Sequence, residues 1–116
     1  MSDSYIPQRG DLVWVTLDPT AGHEQAGRRP ALVITPGAYN RTRRLAIMCA
    51  ITSKVKGGGF EIALPSGLSI NGVVLADQVR NLAWRERGVE YAGHVPAAVL
   101  DEVLGKLSAL LFDEAE

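Results

Sequence analysis

The sequence predicts a mainly β fold closed by one C-terminal α-helix. Short apolar runs rich in β-branched residues recur through the first 83 positions and are broken by Gly, Pro and Asn. From Leu100 onward the apolar spacing changes to that of a helix. No internal repeat or low-complexity stretch interrupts this order. Short strands followed by a helix suit a small curled antiparallel sheet or barrel, because curling reduces exposed strand edge and the helix covers an apolar face.

Leu12–Leu17 (LVWVTL) is short, β-branched and aromatic, and reads as the first strand. Asp18-Pro19-Thr20 ends it, and a Gly-containing polar loop runs to Arg29. Ala31–Thr35 is the second strand, stopped by Pro36-Gly37. Tyr39–Arg44 reads as a basic turn region and Leu45–Thr52 as a third strand. Lys54–Gly59 is a flexible basic loop. Phe60–Leu64 is a fourth strand, and Gly72–Ala83 a fifth, long enough to bend or split. In the tail, Leu100, Val103, Leu104, Leu107, Leu110 and Leu111 form one helical face. Pro96 suits the first turn, Gly105 lies off the leucine face, and Glu102 with Lys106 has the spacing of an i, i+4 pair.

A chain of 116 residues fits one domain, 1–116, and its 47 % apolar content allows a real core. No apolar run reaches the roughly 18–20 residues of a membrane span. Met1–Gly10 is polar, without the apolar region of a signal peptide. The single cysteine, Cys49, excludes an intramolecular disulfide and points to a reducing cytoplasm. The net charge of −1 hides an asymmetry: residues 1–60 carry a balance of +4, and residues 61–116 one of −5. The first half therefore holds the better anion-binding candidate, set against ordinary solvated charge.

Metal, phosphate-loop and nucleophile chemistry find little support. His23, His94 and Cys49 do not stand at zinc-ligand spacing, and no GxSxG, GxxxxGK[ST] or GxGxxG occurs. No cofactor is expected. Strand alternation puts Ile47, Cys49 and Ile51 on one apolar face, which suits an inert buried thiol. Thr52 falls on the other face at the strand end, as a plain strand residue or a hydroxyl offered to a phosphate. The most informative stretch is Gly22–Pro30, where His23, Glu24, Arg28 and Arg29 lie between two strands. Pro30 biases Arg29 to an extended backbone, and a guanidinium there suits a phosphate because its planar fork donates to two oxygens and stays charged. A structural ion pair is the alternative. Asp77 shares a face with Val73, Leu75 and Val79 in a regular strand, so it needs partners or a bulge that turns it out. Gln78, opposite, is a loop anchor or a substrate contact.

Taken in order, Gly10-Asp11-Leu12-Val13-Trp14-Val15, Asp18-Pro19, Gly22, Glu24-Gln25, Gly27, Arg29-Pro30-Ala31, Tyr39-Asn40, Thr52-Ser53, Lys56-Gly57, Ala76-Asp77-Gln78-Val79 and Ala83-Trp84-Arg85 resemble the MazF/PemK family over roughly Tyr5 to Leu111. The resemblance implies an SH3-like small barrel of the CcdB/PemK type with a C-terminal helix, working as a homodimer. It implies a toxin of a type II toxin–antitoxin system that cleaves single-stranded RNA at a short sequence without metal. The RNA's own 2′-hydroxyl attacks, leaving 2′,3′-cyclic phosphate and 5′-hydroxyl ends. Arg29 and Thr52 are implied as the catalytic pair, with Glu24 orienting Arg29 or acting as base. Arg28, Tyr39, Arg41, Ser53, Lys54, Lys56 and Gln78 are candidate RNA contacts, with Arg43, Arg44 and Phe60 as further groove candidates. An acidic, MazE-like antitoxin is the implied protein partner. Some PemK-type relatives carry an arginine where this chain has Leu75 and use it with the aspartate, so those roles are not transferred to Asp77. The alternative on the same fold is a CcdB-like, gyrase-directed poison without ribonuclease activity.

Overall fold

The computed structural model describes residues 5–17 and 27–113. Six strands form one antiparallel sheet: β1 (Asp11–Thr16), β2 (Arg28–Val33), β3 (Ala46–Thr52), β4 (Glu61–Ala63), β5 (Val73–Leu82) and β6 (Glu90–His94). Their spatial order is β4-β5-β3-β2-β1-β6. A short helix, α1 (Gly37–Arg43), precedes β3, and α2 (Ala97–Phe112) follows β6. The sheet curls until the connection leaving β4 reaches the opposite edge strand, where the Ser69 hydroxyl donates to the Ala92 carbonyl. That curl is the barrel-like mainly β fold with a C-terminal helix that the sequence predicts.

Curling gives the sheet two apolar faces. Leu12, Leu32, Cys49, Ile51, Ile62 and Val74 pack with Val99 and Val103 of α2. Val13, Val15, Ala31, Val33, Met48 and Trp84 fill the other side. Adjacent residues such as Leu12 and Val13 are therefore both buried, which explains why the strands read as continuous apolar runs.

Three elements depart from the sequence reading. The basic turn at Tyr39–Arg44 is a seven-residue helix, closed by Arg44 in the left-handed region with its N–H on the Asn40 carbonyl. Asn40 is fully buried. Its amide donates to the Pro7 and Thr35 carbonyls, its Oδ1 accepts from the Thr35 hydroxyl, and its own carbonyl accepts from Trp84 Nε1. This corner gives Asn40 and Trp84 a scaffold role. Strand β6 was not expected because EYAGH has no apolar alternation; pairing with β1 holds it. In α2, Leu100, Val103, Leu104 and Leu107 pack inward, whereas Leu110, Leu111 and Phe112 stand exposed. Pro96 caps α2 rather than entering its first turn. Glu102 and Lys106 do not come within ion-pair distance. No helix among the described residues is long and apolar enough to cross a membrane.

Candidate active site

The candidate site begins with strand register. Strands β2 and β3 are antiparallel, with Ala31 opposite Ala50. Carrying that register two residues toward the strand ends sets Arg29 opposite Thr52, both on one face of the sheet. Both residues line a cleft of about 580 Å³ with Trp14, Ser53 and Lys54. They also line an adjoining cleft of about 400 Å³ with Leu17, Gln78 and Arg80.

The polar groups in this region keep unused hydrogen-bonding capacity. Arg29 is exposed, and its Nη1 donates to the Arg28 carbonyl at 3.0 Å. The Lys54 N–H donates to Thr52 Oγ1 at 3.1 Å, and among the described residues no acceptor takes the threonine proton. Gly72 lies directly behind Thr52: its φ is +122°, and a Cβ there would fall on the Thr52 carbonyl oxygen. The basic loop is closed by Glu61, whose carboxylate accepts the Lys56 N–H at 3.0 Å and the Gly57 N–H at 2.9 Å.

Gln78 reaches the cleft because of a bulge. Strand β3 pairs Cys49 with Val79 and then Ile51 with Val74, so Leu75–Gln78 oppose Ala50 alone. The bulge leaves Ala76 buried and turns Asp77 out to solvent beside Gln78. Asp77 is thereby relieved of the apolar face that regular alternation would give it.

Arg28 lies elsewhere. Successive strand residues point to opposite faces, so it leaves β2 away from Arg29. Its Nη1 donates to the Gly88 carbonyl at 2.7 Å and the Arg87 carbonyl at 3.2 Å, and its Nη2 pairs with Glu90 at 3.1 Å. It ties β2 to the β6 edge and lines a neighbouring cleft of about 970 Å³ that shares Trp14 and Ser69 with the 580 Å³ one but not Arg29 or Thr52. Tyr39 and Arg41 ride on α1, near the start of β3, roughly 20 Å of strand away from Thr52. The Tyr39 hydroxyl accepts from Asn81 Nδ2. Ser53 and Lys54 belong to the cleft, and Lys56 extends beyond it on the exposed loop. Arg43 and Arg44 are exposed at the end of α1, and Phe60 packs partly into the core. Glu24 and His23 lie outside the described residues.

Arg80 and Trp14 join the cleft without having been singled out as contacts. The sequence holds one signal for Arg80, its place just after Asp77-Gln78, but only the bulge turns that neighbourhood toward Arg29. Cys49 is fully buried, and burial, with the Asp77 charge adding, pushes its thiol up to about 11. His94 pairs with buried Asp11 at 2.9 Å on the far end of β1. Among the described residues no three His, Cys, Asp or Glu side chains gather as a metal site would require.

Comparison with known proteins identifies the family and the fold. Residues 8–111 match the family described as PemK-like, MazF-like toxin of type II toxin–antitoxin system. The chain is 43% identical to the endoribonuclease toxin MazF of Escherichia coli K12 over 111 residues, covering 96% of this chain and 99% of that one. A crystal structure of MazF from Deinococcus radiodurans superimposes with a TM-score of 0.85 at 53% identity, covering 93% of this chain and 98% of the other. A MazE–MazF crystal structure from the same organism gives a TM-score of 0.83 at 47% identity, covering 93% and 97%. Likeness of sequence and of fold over nearly the whole length leads to one assignment: the chain belongs to the PemK-like, MazF-like toxins of type II toxin–antitoxin systems.

Proposed function

We propose that the chain is a sequence-selective endoribonuclease toxin that cuts single-stranded RNA without metal. The observation that carries this reading is the meeting of an exposed guanidinium, Arg29, with a hydroxyl free to donate, Thr52, in one cleft. RNA supplies its own nucleophile. The 2′-oxygen forms a bond to the scissile phosphorus while the bond to the 5′-oxygen breaks, giving 2′,3′-cyclic phosphate and 5′-hydroxyl ends. The protein's tasks are then alignment and charge stabilisation. Arg29 neutralises the charge that grows on the equatorial oxygens, and Thr52 donates to one of them. Glu24, in the β1–β2 connection, accepts the 2′-proton, or orients Arg29 while water accepts it, and water returns a proton to the departing 5′-oxygen. DNA lacks the 2′-hydroxyl and is spared.

Lys54 and Ser53 flank the cleft, Gln78 enters from the bulge, and Lys56 extends the positive path for the RNA backbone. Residues 1–116 act as one unit in the cytoplasm and pair as a homodimer. The uncovered Leu110, Leu111 and Phe112, between 45% and 75% exposed, support contact with a second copy. A MazE-like antitoxin is the protein partner, since a relative crystallised with MazE, and an acidic segment of it inhibits by occupying the basic cleft.

The test is incubation with a long single-stranded RNA in EDTA, beside Arg29→Ala and a matched DNA. Cuts at a recurring short sequence, with cyclic-phosphate ends and none in the variant or on DNA, are the expected result. Intact RNA with folded, antitoxin-free protein would overturn the reading and favour a gyrase-directed poison.

A further inference from the structure

We propose that Arg80 is a second phosphate-binding residue of this cleft and takes the RNA phosphate next to the one held by Arg29; the proposal rests on the ribonuclease reading above. Four arginines cluster around the open ends of β1 and β2, and their hydrogen bonds divide them into two kinds. Arg28 is engaged by the Gly88 and Arg87 carbonyls and by Glu90. Arg87, half-buried, donates through one nitrogen to the Thr16 carbonyl at 3.0 Å and the Leu17 carbonyl at 3.4 Å. These two arginines tie strands together.

Arg29 and Arg80 differ from them and match each other. Both are exposed. Among the described residues each is braced through Nη1 by one main-chain carbonyl: Arg29 by Arg28 at 3.0 Å and Arg80 by Leu17 at 2.9 Å. One such bond holds a guanidinium at a point while leaving most of its five N–H groups for a ligand. A fork held this way loses less freedom when it binds an oxyanion. Both line the same cleft of about 400 Å³, together with Thr52 and Gln78. Among the described residues neither guanidinium has a carboxylate within ion-pair distance. Two like charges set into one cleft repel each other and are relieved by a ligand carrying more than one negative charge along its length. Consecutive phosphates of single-stranded RNA are such a ligand.

The binding role separates from a structural one by chemistry. Arg80 is exposed and, among the described residues, makes one hydrogen bond, so its removal costs the fold little. The experiment uses a short RNA with one cut site, in which the phosphate on either side of the scissile one is replaced in turn by a neutral methylphosphonate. Wild type, Arg80→Ala and Arg80→Lys are compared at several salt concentrations. Arg80→Ala is expected to raise KM about tenfold, with the loss falling on KM rather than kcat. It should also flatten the slope of log KM against log salt by about 0.7. One of the two neutral linkages should weaken wild type by a similar factor and Arg80→Ala no further, with partial recovery in Arg80→Lys. Equal penalties in wild type and Arg80→Ala at both linkages would overturn the proposal, as would a fall in kcat with KM unchanged. Should Arg80→Ala fail to fold, a wild type indifferent to both neutral linkages overturns it as well. Failure of the ribonuclease reading looks different: the all-phosphate RNA stays intact with wild type.

Discussion

Two polar clusters sit on this small sheet and use their hydrogen bonds in opposite ways. At one end of β1, Asp11 is only 4% exposed, and its carboxylate accepts from the Tyr5 hydroxyl at 2.6 Å and the Gln8 N–H at 2.9 Å while facing His94 Nδ1. Burial, reinforced by that carboxylate, pushes the Tyr5 hydroxyl upward, so it stays a donor. Among the described residues no buried side-chain nitrogen or oxygen lacks a partner. Beyond the other end of β1, Arg29, Arg80 and Thr52 line an open cleft, and among the described residues most of their donors have no protein partner. Satisfied polar groups clamp a fold, and braced but unsatisfied ones wait for a ligand. Residue type does not separate the clusters; residual hydrogen-bonding capacity does.

The sharpest test of that contrast is Arg29→Ala, expected to lower kcat about a thousandfold while unfolding free energy moves by no more than about 0.5 kcal/mol. A matching loss of stability would erase the distinction. Asp11→Ala should do the reverse. It strips a buried acceptor from three partners, so chemical denaturation should show about 3 kcal/mol lost, with RNA cleavage retained at temperatures where the variant is folded. Gly72→Ala is the substitution that should move both quantities, since its Cβ meets the Thr52 carbonyl and its φ disfavours any side chain. We expect about 2 kcal/mol of destabilisation together with reduced kcat; a change in stability alone would detach Thr52 from catalysis. Thr52→Val keeps the shape and removes the donor, and should cost about tenfold in kcat, which Thr52→Ser restores.

The smallest effect concerns Cys49. Its folded-state value near 11 stands above the ordinary thiol value. The contribution to stability is therefore intact below the unfolded value and lost as pH rises toward 11. A loss of about 1 kcal/mol by pH 10 is expected, absent from the alkaline slope of Cys49→Ala. Thiol labelling of the native protein should be far slower than of the unfolded chain. Rapid labelling would return the cysteine to the list of reactive groups.

Strands β1 to β5 were legible because their apolar runs are short and punctuated, and α2 because its spacing is helical over several turns. The inert Cys49 followed from alternation alone. Strand β6 was not legible, since Glu90–His94 is held by its neighbour β1 rather than by its own pattern. Helix α1 was hidden for a related reason: Asn40, a poor helix former, is stabilised there by contacts with Pro7 and Trp84, far away in sequence. The Gly22–Pro30 stretch suggests a phosphate-binding guanidinium, and adjacency suggests that Arg28 and Arg29 act together. Strand alternation sends them to opposite faces.

By itself the sequence determined the fold class and the family, because periodicity and ordered motifs are properties of neighbours along the chain. Tertiary structure decided which charges share a cleft. That choice depends on register between β2 and β3, on the bulge that opposes Leu75–Gln78 to one residue of β3, and on which carbonyls brace each guanidinium. Those are contacts between residues tens of positions apart, and local sequence carries no record of them.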